Sequence, residues 1–376
     1  MSTSLSAIRS ALSAARSQTY TSAHSMPRDF YTSSEFLDLE KSSLFAMEWN
    51  CIGRVEEIPN PGDYMAFQLC DEPLLATRGN DAQIRVMSNV CRHRGTLLAS
   101  ASGNSQHIVC PYHHWSYELD GKLARAPRME EHTDFDMSSC RLPEFKSEIW
   151  LGFIFVSLNP HAKPLSPQLQ QLEGLIGNYH MEEMQARFVG DEVWTTNWKC
   201  FVENFMEGYH LSPLHKATLH PVNPTRLCTH YPPSDVHFGY HAGFSPDLPR
   251  STKGHPDLQD HEVDNCVMFS IPPGLVSGCA GDYSSFVCVQ PESVDRVRLK
   301  MGLLFYGDHW TQETIDHAVE LFHRTNAEDK EVLARMSKGL KSKSHQVGAL
   351  SSSNFEGPLL DFYKYLDSKL SPVLGA

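Results

Sequence analysis

Two short segments that each carry one cysteine and one histidine constrain this chain of 376 residues more than any other feature. Cys91 and His93 lie in the first segment, C-R-H-R-G, and Cys110 and His113 lie in the second, C-P-Y-H-H-W. A glycine or a proline places each pair on a tight turn. Two cysteines and two histidines can bind a zinc ion. They can also bind a [2Fe–2S] cluster, with the cysteines on one iron and the histidines on the other.

The order of the ligand types favours the cluster over zinc. Zinc fingers group like ligands together, as C-x2-C followed by H-x3-5-H. In this chain each turn offers one thiolate and one imidazole, as two different irons held from two turns require. We therefore predict that Cys91, His93, Cys110 and His113 bind a [2Fe–2S] cluster. Zinc binding and an ordinary core role are the alternatives.

A second group of polar residues lies between Asn204 and His215, in a run of otherwise helix-forming residues. On a helix, Asn204, Glu207 and His210 would share one face because they are spaced three apart. His215 would point away from that face unless Pro213 ends or kinks the helix and the next turn brings it back. Two imidazoles and a carboxylate form the open facial triad of non-heme Fe(II) oxygenases. A polar helix end with two solvated histidines is the alternative.

These motifs together resemble a known family. C-x-H-R-G with C-P-Y-H-x-W resembles the Rieske motif of ring-hydroxylating and N-demethylating oxygenases, and N-W-K-x-F-V-E-N-F-x-E-x-Y-H-x4-H resembles the mononuclear-iron segment of their α subunits. The resemblance implies that His210 and His215 bind Fe(II). It implies that Glu207 links this iron to a cluster-binding histidine of a neighbouring subunit. Asn204 and Tyr209 then support the site.

The third iron ligand is expected on a long helix predicted over residues 311–340. Its buried stripe recurs at three- and four-residue steps and comprises Ala318, Phe322, Thr325, Asp329, Val332, Met336 and Leu340. A buried carboxylate needs a cation, hydrogen-bond donors or a metal, and Asp329 matches the place where the family supplies its third ligand. Glu328 and Asp361 are the alternative ligands. A simple ion pair with lysine or arginine would be the non-catalytic explanation.

The resemblance also implies how electrons arrive. The chain has neither a G-x-G-x-x-G motif after a predicted strand nor a four-cysteine ferredoxin spacing, so NAD(P)H is expected to act indirectly, through a separate ferredoxin or flavin reductase. O2 and a small organic molecule would be the substrates. The family forms homotrimers in which the cluster of one chain serves the iron of its neighbour. His114 stands where the family usually has a small residue.

The predicted fold class is α+β. The resemblance implies an N-terminal all-β Rieske [2Fe–2S] domain and a C-terminal helix-grip (START-like) catalytic domain with an antiparallel sheet. We assign residues 1–40 to a helical lead-in, 41–160 to the Rieske domain and 165–376 to the catalytic mononuclear non-heme iron domain. Three prolines between residues 159 and 167 mark the boundary.

Several local predictions follow from residue patterns. Residues 29–48 are predicted to form a helix, the apolar run 149–156 a single buried strand, and the Pro- and Asp-rich residues 245–263 a mobile loop over a pocket. The first 28 residues fit either an organelle transit peptide or an amphipathic helix with Ile8, Leu12 and Ala15 on one face.

Charge and composition restrict the partners. A net charge of −13 argues against nucleic acid and anionic membrane surfaces, which bind basic proteins. No apolar run approaches the length of a membrane span. The ten cysteines are scattered, which favours a reducing compartment over a disulfide scaffold, so a cytoplasmic location is expected.

The substrate is less constrained than the reaction. Glu207 resembles the branch of the family that acts on quaternary and methylated amines. Such cations bind to aromatic faces, and candidate cage residues are Phe205, Tyr240, Phe244, Tyr283 and Phe286. An aromatic-ring substrate is the alternative, because the same residues suit an apolar ring. A Rieske protein that transfers electrons or binds ligands without catalysis is the remaining alternative.

Overall fold

The computed structural model describes residues 3–249 and 253–375 and divides into two compact units. One unit comprises residues 45–163. The other comprises the described residues up to Leu44 together with those from Pro164 onward. The segment predicted as a separate lead-in therefore belongs to the same compact unit as the C-terminal region.

The unit of residues 45–163 consists of two antiparallel sheets. A seven-stranded sheet has the order β1-β10-β9-β4-β3-β2-β5, and a three-stranded sheet has the order β6-β7-β8. The strands are β1 Asn50–Arg54, β2 Asp63–Leu69, β3 Glu72–Arg78, β4 Ile84–Ser88, β5 Gly103–Asn104, β6 Ile108–Val109, β7 Ser116–Tyr117, β8 Leu123–Arg125, β9 Glu144–Trp150 and β10 Phe153–Ser157. The all-β prediction for this part of the chain is confirmed.

The prediction of one strand over residues 149–156 is wrong. Leu151 and Gly152 have φ values of 46° and 79°, and Trp150 pairs with Phe153 across the turn. Two consecutive residues with positive φ form the tight turn that matches the twist of a hairpin. The apolar run therefore contains the end of one strand and most of the next, and Ile149 is exposed.

The second unit is built on another seven-stranded antiparallel sheet, with the order β11-β17-β16-β15-β14-β13-β12. Its strands are β11 Gln185–Trp194, β12 Cys228–His230, β13 Phe238–Gly243, β14 Asn265–Ile271, β15 Leu275–Cys279, β16 Tyr283–Ser293 and β17 Arg296–Phe305. Its helices are α1 Thr3–Ser17, α2 Asp29–Thr32, α3 Ser34–Glu40, α4 Gln170–Ile176, α5 Trp198–Phe205, α6 Leu211–Leu214, α7 Asp260–Val263, α8 Gln312–Leu340 and α9 Ser353–Leu374.

The N-terminal segment packs as an amphipathic helix. Ile8, Leu12 and Ala15 on α1 are fully buried, and α1 packs along α9. The Arg16 guanidinium pairs there with Asp367 of α9. The helix predicted over residues 29–48 is interrupted, because Ser33 has extended backbone and its side chain accepts a hydrogen bond from Phe36 N, which starts α3.

The long helix α8 begins one residue after its predicted start, with Thr311 as the N-cap. Its buried stripe differs from the predicted one at its C-terminal end. Leu340 is buried as predicted, but Leu333 and Ser337 are buried in place of Val332 and Met336, and Met336 is exposed. A helix has 3.6 residues per turn. Steps of three or four residues that are assigned by hydrophobicity alone therefore place the predicted stripe one residue before Leu333 and Ser337.

The irregular segment 245–263 ends in the short helix α7, and three of its residues, 250–252, lie outside the described part of the chain. The mobility predicted for this segment stays a prediction. Among the residues that the structure describes, no helix combines the length and apolar character needed to cross a membrane.

His237, just before β13, generates a prediction about pH. The side chain is 1% exposed, neither ring nitrogen has a hydrogen-bond partner among the described residues, and burial lowers its pKa to about 4. Below pH 6.5 the unfolded chain takes up a proton that the folded chain refuses, so the free energy of unfolding falls with pH. Between pH 7.5 and 5.0 this residue should cost about 2 kcal/mol.

The His237→Phe variant should lack this part of the acid sensitivity. Urea unfolding midpoints of wild type and variant at pH 7.5 and 5.0 measure it, with His317→Gln on the exposed face of α8 as the control. Equal losses of stability in His237→Phe and wild type would contradict the prediction.

Candidate active site

The two segments with one cysteine and one histidine form a matched pair of turns. Cys91 accepts a backbone hydrogen bond from Gly95 (N···O 3.0 Å), and Cys110 accepts one from His114 (3.1 Å). Gly95 and His114 occupy equivalent places and have positive φ values of 75° and 58°. His114 thus adopts a backbone conformation that glycine takes more readily than histidine.

The four predicted cluster ligands converge at the ends of these turns. Both cysteines are buried, with the Cys91 thiol against the Cys110 thiol, and the Nδ1 atoms of His93 and His113 lie 3.1 Å apart. Burial and the nearby charge of His113 lower the pKa of His93, which keeps this imidazole neutral, as a metal ligand must be. Two adjacent sulfurs and two facing ring nitrogens fit a [2Fe–2S] cluster held from two sides.

Tyr117 supports the predicted cluster site and was not identified from the sequence. Its hydroxyl lies 3.3 Å from Cys91 Sγ and accepts a hydrogen bond from Arg92 N (2.9 Å). The accepted bond turns the hydroxyl proton toward the sulfur. An aromatic residue two positions after the C-P-Y-H-H-W motif is the only signal that could have revealed it.

The second site begins where α5 ends. The helix stops at Phe205, so Asn204, Glu207 and His210 do not share one helix face, and that prediction is wrong. At Gly208 a Cβ atom would meet Cys228 Sγ at 2.4 Å, so the chain turns tightly against β12 instead of continuing the helix. This turn folds the Glu207 carboxylate back onto its own loop, where it contacts His210 Nδ1 and accepts from His210 N (3.1 Å).

The three predicted iron ligands are brought together. His210 Nε2 and His215 Nε2 lie 3.7 and 3.2 Å from Asp329 Oδ1. His215 is completely buried, and its Nε2 has no hydrogen-bond partner among the described residues. Pro213 lies within α6, and this short helix carries the chain round so that His215 faces His210. An orphaned imidazole nitrogen aimed at a carboxylate and a second imidazole fits a bound Fe(II).

Carboxylates behind the histidines orient both rings. Glu328 Oε2 lies 2.7 Å from His215 Nδ1 and accepts from Thr218 Oγ1 at 2.6 Å. Glu207 holds His210 Nδ1 in the same way. Burial by itself would lower the pKa of His210, but the charge and hydrogen bond of Glu207 outweigh it and raise the pKa. Each ring therefore presents Nε2 to Asp329.

The remaining candidates occupy different places. Asn204 Nδ2 donates to Asp329 Oδ1 (3.2 Å). Tyr209 is exposed and stacks on Phe355, so its hydroxyl does not reach the histidines. Asp361 instead pairs with His230 Nε2 (2.6 Å).

A cavity of about 160 Å³ opens beside Asp329. Its walls are largely apolar, and its aromatic side chains are Phe205, Tyr240, Phe244, Tyr283 and Phe322. Four of the five predicted cage residues are therefore in the wall. Phe286 is not, because it is fully buried beneath Gly302. Among the described residues, no lysine or arginine lines the cavity.

Comparison with known proteins defines the class. Residues 48–146 match the Rieske [2Fe–2S] domain, and residues 177–371 match the catalytic domain of ring-hydroxylating α subunits. The chain belongs to the family of ring-hydroxylating α subunits. It is a Rieske-type oxygenase subunit with a [2Fe–2S] cluster and a mononuclear iron, and it works with a reductase and a small-molecule substrate.

Individual relatives refine this picture. The oxygenase subunit of carnitine monooxygenase from Acinetobacter baumannii is 29% identical over 335 residues, which cover 86% of this chain and 87% of the relative. A solved quaternary ammonium Rieske monooxygenase, described with carnitine oxidation and inter-subunit electron transfer, superposes with a TM-score of 0.80 at 24% identity, covering 94% of this chain and 97% of that one.

Naphthalene 1,2-dioxygenase from Rhodococcus sp. shares the fold as well. It superposes with a TM-score of 0.81 at 18% identity and covers 98% of both chains. The fold is therefore common to amine and aromatic oxygenases and does not select between them. Membership of the oxygenase family favours the cluster over zinc and removes the non-catalytic alternative.

The position of Asp329 generates a test of the third ligand. Asp329→Ala should lose bound iron and substrate oxygenation, because two imidazoles alone form an incomplete triad. Glu328→Gln removes only the charge behind His215 and should weaken iron binding by roughly 10-fold. Iron analysis and turnover measure both effects, with the visible spectrum of the cluster as the internal control. Retained turnover in Asp329→Ala would eliminate it as a ligand.

The Tyr117 hydroxyl generates a second prediction. Tyr117→Phe removes a hydrogen bond to Cys91 Sγ and leaves more charge on the sulfur, so the cluster should be harder to reduce. The midpoint potential should fall by on the order of 60 mV, which corresponds to about 1.4 kcal/mol for one electron. Spectroelectrochemistry measures this shift, with Tyr112→Phe on the exposed edge of the site as the control. An unchanged potential would show that the hydroxyl is electronically unimportant.

Proposed function

We propose that this subunit uses O2 to hydroxylate or demethylate a methylated or quaternary amine. The observation that carries the proposal is the aromatic cavity directly beside His210, His215 and Asp329. Aromatic faces attract quaternary ammonium groups, and the apolar walls suit the methyl groups. The activities named for the carnitine relatives point to the same class of substrate.

We further propose the roles of the site residues and domains. Cys91, His93, Cys110 and His113 hold the [2Fe–2S] cluster in the domain of residues 41–160. His210, His215 and Asp329 hold Fe(II) in the domain of residues 165–376, where the bound iron supplies the activation of O2. Glu207 and Asn204 position these ligands through the contacts described above. Tyr209 supports the same loop at its exposed edge, where its ring stacks on Phe355.

The chain's own residues account for binding and orientation. The walls formed by Phe205, Phe244 and Tyr283 would surround the cationic end of the substrate and exclude water from it. Asn204 holds one Asp329 oxygen, which fixes the carboxylate relative to the two imidazoles. Glu207 retains the proton on His210 Nδ1, so that Nε2 is free to bind the metal.

The proposed assembly is a homotrimer in the cytoplasm, in which the cluster of one chain reduces the iron of the next. The electron transfer between subunits described for the quaternary ammonium monooxygenase supports this arrangement. Glu207 would then bridge from His210 to a cluster ligand of the neighbouring subunit. The partner reductase would supply electrons from NAD(P)H.

Hydroxylation of an aromatic ring is the second candidate. The observation in its favour is that Asp329 is the one carboxylate among the described cavity-lining residues, so the wall offers no additional anion to a cationic substrate. A neutral ring would fit the same apolar walls. The shared fold of naphthalene dioxygenase is compatible with this activity.

Product analysis distinguishes the two candidates. Iron-replete protein, a generic reductase, NADH and O2 would be given a mixed panel of methylated amines and aromatic acids, with products identified by mass spectrometry. We expect formaldehyde or a hydroxylated amine, and none from Asp329→Ala. A diol or a phenol from a ring would transfer the protein to the aromatic branch.

A cavity variant tests the mode of recognition. Phe244→Leu should raise the KM for a quaternary amine by roughly 5- to 30-fold, since a desolvated cation–π contact contributes about 1–2 kcal/mol. The KM for its neutral tert-butyl isostere should change much less. Equal changes for both compounds would show that Phe244 provides only apolar contact.

A further inference from the structure

A second group of side chains that could hold a metal ion lies outside the cavity described above. His180, His255 and Asp257 each offer one ligand atom, and these atoms all lie within 4.8 Å of one another. None of the three lines the cavity beside Asp329. His180 directly follows the 3-10 turn Gly177–Tyr179, whereas His255 and Asp257 precede α7. The group therefore joins two segments that are distant in the chain.

Asp257 lies at the centre of this group. Its Oδ2 is 2.9 Å from His180 Nε2 and 3.6 Å from His255 Nδ1. The two imidazole rings stack with centroids 3.7 Å apart. The backbone N–H of Asp257 donates to His255 Nδ1 (3.1 Å). Nδ1 of His255 therefore presents its lone pair toward Asp257, and a bound ion would take the place of this hydrogen bond.

The surroundings attract positive charge. Glu182 and Glu183 lie 3.3 and 3.9 Å from His180 Nδ1, so three carboxylates surround two imidazoles. Burial alone would lower the pKa of His180, but the hydrogen bond that its ring donates to Asp257 and the charge of Glu182 outweigh it and raise the pKa. Either a proton or a metal ion would compensate the negative charge of these carboxylates.

The backbone holds the ligands in place from both sides. His180 has a left-handed conformation, with φ 47° and ψ 53°, which is uncommon for a residue other than glycine and occurs often at functional sites. On the other side of the group, the Glu262 carboxylate accepts from Asn178 Nδ2 at 3.1 Å. The Tyr179 hydroxyl donates to the Glu262 carbonyl at 3.0 Å. The two segments are therefore already joined next to the proposed ligands.

We propose that His180, His255 and Asp257 bind a divalent first-row transition ion of the zinc class. Two imidazoles and a carboxylate suit such ions. Ligands at about 2.0–2.2 Å from a tetrahedral ion lie roughly 3.4 Å apart, so rotations of the three side chains close the site. Asp257 is 59% exposed, and solvent can therefore supply the remaining ligand.

The ion acts as a clamp rather than as a second catalytic centre, because none of its three ligands lines the cavity beside Asp329. It pins residues 253–263 to the turn of residues 177–183. The clamped segment packs closely on the cavity wall, since a Cβ atom at Gly254 would meet Gly281 O at 2.5 Å. The neighbours Ala280 and Tyr283 line the cavity. The clamp thereby stabilises one wall of the substrate site.

Calorimetric titration with zinc alone tests the proposal. The full chain with its cluster intact would carry Asp329→Ala, so that zinc binding at the proposed iron site is weakened. We expect one zinc ion per chain, bound at least 10-fold more weakly after His255→Ala or after Asp257→Asn. His261→Ala, on the exposed face of the same segment, is the matched control and should leave zinc affinity unchanged.

Thermal unfolding supplies a readout that is independent of turnover. Zinc should raise the unfolding temperature of the Asp329→Ala protein and of the His261→Ala control by mass action, and it should raise that of Asp257→Asn much less. Absence of zinc uptake would overturn the proposal. So would a zinc affinity of the His255→Ala and Asp257→Asn variants equal to that of the protein that carries Asp329→Ala alone. Because neither assay uses substrate, failure here is distinguishable from failure of the proposed oxygenase activity.

Discussion

The proposed catalytic centre depends on holding two imidazoles with Nε2 toward one carboxylate while a carboxylate lies behind each ring. A histidine in a buried site can present either nitrogen, and the partner of the opposite nitrogen decides which one is free. Glu328 on α8 and Glu207 in the loop after α5 provide these partners. α8 supplies two adjacent acids with different tasks, because Glu328 faces His215 Nδ1 and Asp329 faces both Nε2 atoms. The position of α8 relative to α5 and α6 is thus fixed by the chemistry of the site.

The N-terminal segment secures α5 from the opposite side. Lys199 Nζ is 2.6 Å from Glu40 Oε1, with both side chains buried, and Trp198 Nε1 donates to the same carboxylate at 3.1 Å. One helical turn on, burial raises the pKa of Glu203 to about 8, and the Tyr31 hydroxyl lies 2.9 Å from one of its oxygens. Removal of one member of a buried ion pair is strongly destabilising. The segment that resembles a lead-in therefore helps to position Asn204 and the loop that follows it.

The sequence was most informative where chemistry requires particular residues at short spacing. The two C-x-H and C-x2-H turns and the H-x4-H pair could be found because each ligand set lies within a few residues. The prediction of Asp329 as a ligand required both the helical period of the buried stripe and the family pattern. Glu328 could not be placed behind His215, since the partner lies 113 residues away along the chain and no periodicity records such a contact. The hairpin at Leu151 was hidden because a two-residue turn in an apolar run lacks the usual polar signal.

The charges around the proposed iron site bear on the proposed cationic substrate, because Asp329 is the one carboxylate among the described residues that line the cavity. Two neutral imidazoles and Asp329 would leave one net positive charge with Fe(II), and that charge alone would repel an ammonium group. The carboxylates of Glu207 and Glu328 lie directly behind the rings and, when ionised, reverse the sign of this sum. They do so without entering the cavity, so the apolar aromatic wall is preserved. The acids that orient the histidines thus also set the local potential, and the aromatic faces need contribute only the final part of the selectivity for the proposed cationic substrate.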